Sequence, residues 1–285
     1  MTRTSLRVGG IDYLNALPLT RYLSQDGDPP LELSNHPPSV LASSLRSGAL
    51  DVALAPVVEF LSREDYEAVP GICISSYGAV ESIRLFHRRP LADSRCVVLD
   101  ASSRSSALLA RLLFRELWKG SPRFVSIRPG AAREFLSTGE PKPPADAVLD
   151  PDAVLLIGDA ALELREVPGW SVLDLGTEWT RWTGLPFVYA FWMCRRGVRS
   201  GALDERLREA RQEGLSRLDD IVRDFGEAIE GFDAAARRLY LRQTIQYDFG
   251  ELQQRGLQEF FSLLERNGLT GSPPRLVTAK AGGCR

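Results

Sequence analysis

Residues 96–118 have the sequence CVVLDASSRSSALLARLLFRELW, which predicts a strand, a polar turn and a helix in direct succession. The apolar residues 96–99 are typical of a buried strand, and the leucines of residues 108–117 recur at helical spacing. The polar residues 100–106 separate these two elements. A buried strand followed by an amphipathic helix indicates a βαβ unit, and hence a largely parallel sheet rather than a β-sandwich.

The same alternation of strands and helices extends over the first two thirds of the chain. Further strands are predicted at residues 7–11, 31–34, 52–55, 72–75, 82–87, 124–127, 154–157 and 187–194. Further helices are predicted at residues 15–23, 38–46, 57–62 and 131–136. The last third has the apolar spacing of helices, which we predict within residues 202–229, 232–247 and 251–266.

Two α/β sets followed by a helical block predict a two-lobed α/β protein. We assign residues 1–88 to the first part of lobe one, residues 89–193 to lobe two, and residues 194–285 to C-terminal helices that complete lobe one. The chain then crosses between the lobes at residues 87–91 and 193–197. Bilobed proteins of this kind bind ligands in the central cleft and close it by a hinge motion.

The composition excludes several classes of function. The 285 residues carry a formal net charge of −2, which argues against a nucleic-acid-binding protein that relies on net positive charge. The sequence has no basic segment followed by an apolar run typical of a secretory signal, and no stretch of 18 apolar residues. The four cysteines show no CxxC spacing, and three lie in strand-like runs typical of buried thiols. We therefore expect a cytoplasmic protein without a membrane partner.

The motifs that the chain lacks exclude several kinds of chemistry. We find no GxxxxGK[ST] loop, no GxGxxG motif after a strand and no GxSxG elbow. His36 and His87 are the only histidines, and neither belongs to a His/Cys cluster or a Ser/His/Asp set. We expect no metal and no cofactor, and a covalent hydrolase is disfavoured.

Polar residues follow several of the predicted strands, at the sheet edge where open α/β folds bind ligands. Asn15 follows the first strand and is either a ligand donor or a helix N-cap. Ser82 opens a strand after a glycine turn, and we expect its hydroxyl to face the cleft. Gly158 permits close approach of backbone to a ligand. Asp159 is either the N-cap of the next helix or a polar group that faces the cleft.

A cluster of serines lies directly before the helix of residues 105–118. Ser103, Ser105 and Ser106 bring hydroxyls to a helix start, where free N–H groups favour a carboxylate or a phosphate. Serines also cap helices without any ligand, so both interpretations stay open. In residues 174–187, Trp179 and Trp182 are three positions apart and share a helix face, for which packing between the lobes is the favoured interpretation.

Five segments together resemble the MqnA-type chorismate dehydratases of the futalosine route to menaquinone. They are IDYLNALP (11–18), GALDVALAPV (48–57), PGICISS (70–76), LIGD (156–159) and EWTRWTGLPF (178–187). The resemblance runs in order from about residue 7 to residue 270. It implies a periplasmic-binding-protein-like fold of type II that works as a cytoplasmic lyase. The chain departs from the family pattern at Tyr77, often Asp, and at Thr180, often His, and the roles of these two side chains are open.

The resemblance also implies a reaction, in which chorismate loses water to give 3-(1-carboxyvinyloxy)benzoate. A proton leaves the ring carbon that bears the enolpyruvyl ether, the neighbouring hydroxyl departs, and the ring becomes aromatic without a cofactor. N–H donors near Ser105 and Ser106 would stabilise the intermediate charge. Asn15 would hold the substrate or the leaving hydroxyl. Asp159, Asp12 and the side-chain carboxylate of the substrate are the three candidate bases.

Two alternatives remain open. One is a solute-binding protein for a small carboxylate, and the other is the related 1,4-dihydroxy-6-naphthoate synthase, which is less similar at the Tyr-Leu-Asn segment. In each case we expect a small-molecule partner and no nucleic acid. A homodimer is the candidate oligomeric state.

Overall fold

The strands of the protein form two sheets, seen here in a computed structural model. The model describes residues 5–62, 65–102, 104–138, 150–225 and 231–270. The first sheet has six strands: β1 (Leu6–Gly10), β2 (Leu31–Asn35), β3 (Val52–Pro56), β4 (Tyr66–Ser76), β10 (Phe187–Arg195) and β11 (Gln246–Phe249). The second has five: β5 (Ile83–His87), β6 (Cys96–Asp100), β7 (Arg123–Ile127), β8 (Ala153–Ile157) and β9 (Ser171–Asp174).

Ten α-helices accompany these strands in the described residues. They are α1 (Leu17–Thr20), α2 (Pro38–Ser47), α3 (Arg104–Glu116), α4 (Ala131–Thr138), α5 (Asp159–Glu163), α6 (Leu175–Thr183), α7 (Gly201–Ser216), α8 (Leu218–Asp224), α9 (Ala234–Leu239) and α10 (Glu251–Arg266). Short 3₁₀ helices occur at Leu14–Ala16, Val57–Ser62 and Leu91–Asp93, and a π-helix at Tyr240–Thr244.

Both sheets combine parallel βαβ units with antiparallel strands. The strand order of the first sheet is β11-β4-β10-β3-β1-β2, in which β1 runs parallel to β2 and β3, and β10 runs antiparallel to β3 and β4. The order of the second is β7-β6-β8-β5-β9, in which β6 runs parallel to β7 and β8, and β5 runs antiparallel to its neighbours. All five residues of β3 and of β6 are buried, as expected for strands covered on both faces.

The chain crosses from one sheet to the other twice, and both crossings lie earlier than predicted. It leaves the first sheet after β4 and enters the second at β5, so residues 77–82 form the first crossing rather than residues 87–91. It returns between α6 and β10, at residues 184–186 rather than 193–197. Each crossing was predicted one strand too far along the chain. The sequence of an apolar strand does not indicate the sheet to which the strand belongs.

The C-terminal helices pack against the first sheet and support the segment after β1. Helix α7 contacts α1 and β4, and α10 contacts β10. A Cβ atom at Gly214 of α7 would overlap the carbonyl oxygen of Pro18, so a glycine permits this close contact between helices. The described residues include no helix that is both long and apolar enough to cross a membrane.

The prediction of a helix over residues 232–247 is wrong at its end. The π-helix stops at Thr244, and residues 246–249 form β11, which pairs antiparallel with β4. Here Tyr247 and Phe249 are buried while Asp248 is exposed, which is the alternation of a strand. Four residues are too few for this alternation to stand out beside two long helices.

Candidate active site

A cavity of about 550 Å³, including its open mouth, lies between the two sheets. Residues from the first-sheet side of the lining are Ile11, Tyr13, Asn15, Pro38, Pro56, Ile74, Tyr189 and Ala190. Residues from the second-sheet side are Ser82, Ile83, Ser102, Arg104, Ser105, Ser106, Ile157 and Gly158. Polar groups therefore reach an otherwise apolar space from both sides.

The structure brings five of the predicted site residues to this one cavity. They are Asn15, Ser82, Ser105, Ser106 and Gly158. Asp159 directly follows Gly158 but is not part of the lining. Ser103 lies outside the described residues. The chemical roles of all seven stay predictions.

Asn15 lies inside the 3₁₀ helix Leu14–Ala16, so the alternative that it is an N-cap is wrong. The N-cap position is Tyr13, and no side chain caps this helix. The backbone carbonyl of Asn15 accepts a hydrogen bond from the Tyr247 hydroxyl at 3.0 Å. The side chain therefore lines the cavity from a segment that β11 holds in place.

Asp159 is the first residue of α5, and Gly158 holds the N-cap position that the sequence left open for Asp159. The carboxylate Oδ1 instead accepts a hydrogen bond from the backbone N–H of Leu14 at 3.1 Å. Burial raises the pKa of Asp159 to about 6, and the hydrogen bond from Leu14 partly opposes that rise. Asp159 thus connects the second-sheet side of the cavity to the segment that carries Asn15.

Gly158 gives the ring of Tyr13 room to cross the cavity. Its φ of +63° lies in the region that L-residues rarely adopt, and a Cβ atom here would come within 3.0–3.2 Å of three Tyr13 ring atoms. Burial raises the pKa of Tyr13, and a hydrogen bond with the Ser102 side chain opposes the change. The close approach predicted for Gly158 is therefore made by an aromatic ring of the protein itself.

A strained turn places Ser82 at the cavity. Glu81, the residue before it, has a φ of +60°, which is uncommon for any residue other than glycine. The Asp174 carboxylate accepts hydrogen bonds from the backbone N–H groups of Val80 and Glu81, and it also caps α6 through the N–H of Thr177. One half-buried acid thus fixes the end of the first crossing.

The start of α3 brings serines and one cation to the cavity. Ser102 donates its backbone N–H to Asp100 Oδ1 at 2.8 Å, and the Ser105 hydroxyl donates to the Tyr189 carbonyl at 3.3 Å. The first N–H groups of a helix have no partner within it, so those of Ser105 and Ser106 are suited to an anion. The N–H groups of Ser105 and Ser106 therefore remain available to the predicted anion site. The N–H and the hydroxyl of Ser102 instead donate to Asp100.

Arg104 forms an ion pair across the cavity that the sequence did not indicate. Its guanidinium contacts the carboxylate of Glu59, which is fully buried at the 3₁₀ helix after β3. Arg46 approaches the same carboxylate at 3.3 Å from outside the lining. Arg104 therefore brings a guanidinium to the cavity lining, where it is placed to pair with a negatively charged ligand.

Trp179 and Trp182 pack rather than line the cavity, as the favoured interpretation held. Their ring centroids are 5.9 Å apart, and Trp179 also packs edge-on against Phe187 and Phe260. Helix α6, β10 and α10 are joined by this cluster. The aromatic side chains within residues 174–187 therefore stabilise the segment in which the chain returns to the first sheet.

Thr180, at which the family pattern often has His, connects the two crossings. Its hydroxyl accepts from the N–H of Gly78 at 2.9 Å and donates to the carbonyl of Leu185 at 3.2 Å. Tyr77, the other departure, is 54% exposed and is not part of the cavity lining. Both departures thus lie on or beside the crossing segments.

Sequence reasoning assigned no role to three of the polar lining residues, namely Tyr13, Arg104 and Tyr189. Tyr189 lies in the apolar β10. Its hydroxyl forms a hydrogen bond with the hydroxyl of Ser76, and the two oxygen atoms are 2.9 Å apart. A polar group within an apolar run was the available signal for it. Among the described residues, no group of three or more His, Cys, Asp or Glu side chains is arranged to hold a metal ion.

Comparisons with known proteins identify the family and the fold. A family model described as menaquinone biosynthesis matches residues 6–266. A chorismate dehydratase from Thermus thermophilus is 31% identical over 278 residues, which cover 88% of this chain and 92% of the relative. Among solved structures, a protein from Archaeoglobus fulgidus has a TM-score of 0.68 at 16% identity, covering 94% of this chain and all of that one.

The periplasmic aliphatic sulphonate binding protein SsuA from Escherichia coli is a second structural neighbour. It has a TM-score of 0.63 at 16% identity, and the match covers all of this chain and 97% of that one. Identities this low concern the fold alone. The predicted fold class, a two-lobed α/β fold like that of periplasmic binding proteins with a central cleft, is confirmed.

Proposed function

This chain belongs to the menaquinone biosynthesis family, and from that membership we propose that it is a chorismate dehydratase. It converts chorismate to 3-(1-carboxyvinyloxy)benzoate and water, and so acts as a carbon–oxygen hydro-lyase. We place it in the cytoplasm, at an early step of the futalosine route to menaquinone. The observation that carries this proposal is the match to a chorismate dehydratase along 88% of the chain.

The cavity offers complementary groups to a substrate with two carboxylates. The start of α3 brings the first-turn N–H groups at Ser105 and Ser106 and the side chain of Arg104 to the lining at one end of the cavity. Donors of this kind bind a carboxylate and stabilise negative charge that spreads into it as the proton leaves. We assign the ring carboxylate of chorismate to this end of the cavity.

Three candidate bases were open, and the structure favours one of them. Asp12 is exposed, and its carboxylate accepts from Asn35 Nδ2 at 2.5 Å. Asp159 accepts from Leu14 outside the lining. No described acidic side chain lines the cavity. We therefore propose that the side-chain carboxylate of the substrate removes the proton, and that Asp159 positions the Asn15 segment.

Asn15 is then the group that serves the leaving hydroxyl. Its amide N–H donates a hydrogen bond to the hydroxyl oxygen, which departs as water with the proton that the substrate carboxylate took from the ring. One proton and one hydroxyl leave the ring, and the new double bond completes the aromatic system. The gain of aromaticity makes the reaction strongly downhill, so we propose that no cofactor takes part.

Incubation of the purified protein with chorismate tests the proposal directly. We expect the ultraviolet spectrum to change to that of an aromatic benzoate, and chromatography to give the dehydrated product in an amount equal to the chorismate consumed. Dialysis against EDTA should leave the rate unchanged. Binding of chorismate without turnover would instead identify a solute-binding protein, and turnover that depends on an added metal or nucleotide would contradict the cofactor-free mechanism.

A further inference from the structure

The C-terminal segment reaches the cavity from behind the lining residues. In the π-helix Tyr240–Thr244, the Thr244 hydroxyl donates to Glu81 Oε1 at 3.0 Å, next to the lining residue Ser82. Three residues beyond it, the Tyr247 hydroxyl donates to the Asn15 carbonyl at 3.0 Å. The segment therefore contacts the side chain of Glu81, one residue before Ser82, and the backbone of Asn15. π-Helical turns are rare and occur frequently at functional sites.

Tyr240 is the residue of this segment whose side chain has unused hydrogen-bonding capacity. The residue is 1% exposed, its ring packs edge-on against Phe232, and its hydroxyl has no hydrogen-bond partner of good geometry within the described parts of the chain. The side chains of Ser82 and Asn15 are its polar neighbours. A buried hydroxyl without a partner is unfavourable, and a phenylalanine would fill the same space without that penalty.

We propose that Tyr240 is a positioning residue, whose hydroxyl donates to the side-chain oxygen of Asn15 when substrate fills the cavity. The oxygen and the NH₂ group of an amide are nearly the same shape, but the oxygen accepts hydrogen bonds and the NH₂ group donates them. A fixed donor that binds the oxygen therefore leaves the NH₂ group directed toward the substrate. With its oxygen held by Tyr240, Asn15 presents its NH₂ group to the substrate. This inference rests on the proposed function, in which that NH₂ group donates to the leaving hydroxyl.

The chemistry of a tyrosine suits this role. Burial raises the pKa of Tyr240 far above its ordinary value, so the hydroxyl keeps its proton over the whole range of a usual assay. It is therefore a donor at every assay pH. The ring is wedged among apolar side chains, which leaves the hydroxyl little freedom to turn elsewhere.

The test is the variant Tyr240→Phe in the chorismate assay, with Tyr66→Phe as a matched control. Tyr66 is also buried, but it begins β4, eight residues before the lining residue Ile74. For Tyr240→Phe we expect kcat to fall about 10-fold, the magnitude of one net hydrogen bond, with an unchanged or higher thermal unfolding midpoint. Tyr66→Phe should keep kcat within about 2-fold of wild type. A kcat for Tyr240→Phe equal to that of wild type would overturn the inference.

A double-variant cycle separates positioning from a structural effect. In an Asn15→Ala background there is no amide to orient, so Tyr240→Phe should cause no further loss of rate. The same fractional loss in both backgrounds would overturn the inference. If wild type binds chorismate without converting it, the proposed function fails, and the same cycle measured on Kd decides the role of Tyr240. A protein that neither binds nor converts chorismate overturns both.

Discussion

The backbone N–H of Leu14 and the carboxylate Oδ1 of Asp159 are 3.1 Å apart, although 145 positions separate the two residues in the sequence. Leu14 follows the first strand of the first sheet, and Asp159 follows β8 of the second. This hydrogen bond therefore spans the cleft beside Asn15. A bond in this place links the spacing of the two sheets to the position of a proposed catalytic group.

Asp159 should make the protein less stable as the pH rises from about 4 to about 6. Its pKa is raised from an ordinary 3.8 to about 6 by burial, so in this range the folded state binds more protons than the unfolded state. The contribution of Asp159 to stability is then highest below this pH range and constant above it. The full difference is on the order of 3 kcal/mol. The urea unfolding midpoints of wild type and Asp159→Asn, measured between pH 4 and pH 7, test this prediction. An equal pH dependence of the midpoint in the two proteins would contradict it.

Two variants of Asp159 should separate positioning from base catalysis. Asp159→Asn keeps an oxygen that accepts from Leu14, whereas Asp159→Ala leaves that N–H without its partner. We expect Asp159→Asn to keep most of the turnover of chorismate and Asp159→Ala to lose about 10-fold, the magnitude of one hydrogen bond. A loss of turnover in Asp159→Asn as large as that in Asp159→Ala would show that the carboxylate itself is the base.

Asn15→Asp should be less active than Asn15→Ala. The alanine variant loses one donor to the transition state, which typically lowers the rate on the order of 100-fold. The aspartate variant loses the same donor and adds a negative charge against a dianionic substrate. Turnover of chorismate is the measurement, with a cooperative thermal transition in each variant as the control for folding. Turnover near that of wild type in Asn15→Asp would exclude Asn15 from the chemistry.

Arg104→Gln should raise the KM for chorismate by about 10- to 100-fold, because a hydrogen bond to a charged group contributes about 1.5–3 kcal/mol. Arg46→Gln is the matched control, since Arg46 contacts the same Glu59 carboxylate but does not line the cavity. We expect its KM to stay within about 3-fold of the wild-type value, a change below 1 kcal/mol. Equal effects of the two variants would mean that Arg104 acts only through its pairing with Glu59.

Gly158→Ala should lower both stability and substrate affinity. The alanine Cβ meets the Tyr13 ring at 3.0–3.2 Å, in addition to the strain of a positive φ. Gly169→Ala is the control, because Gly169 also has a positive φ but no neighbour within 4 Å of the added Cβ. We expect a loss of about 1–3 kcal/mol from strain in both variants and a further loss in Gly158→Ala alone. Urea unfolding and the KM for chorismate measure the two effects.

Periodicity predicted the elements of this fold far better than their partners. The stripe of α10 and the buried run of β10 are long, so their patterns stand out from the sequence. Strand β9, Ser171–Asp174, was missed because it is a short, half-buried edge strand with no apolar run. The sheet to which β5 belongs depends on pairing with β8 and β9 far along the chain, and no local pattern encodes such pairing.

The candidate site was predictable at residues that closely follow a strand, such as Asn15 after β1 and Gly158 after β8. Arg104 and Tyr240 were not, for different reasons. Arg104 is one of many arginines, and only its contact with Glu59 across the cavity distinguishes it. Tyr240 comes from the helical last third, which the sequence assigned to packing, and only the folded chain brings it behind Asn15.

The central place of β10 in the first sheet constrains the order in which this protein is made. β10 pairs with both β3 and β4, yet the ribosome delivers it only after all five strands of the second sheet. Nascent β3 and β4 therefore emerge without the strand that joins them and present open edges, which are prone to aberrant pairing. The second sheet is contiguous in sequence, so we expect it to form before β10 completes the first sheet. A translational pause between residues 174 and 195 would thus prolong the interval in which a chaperone is most needed.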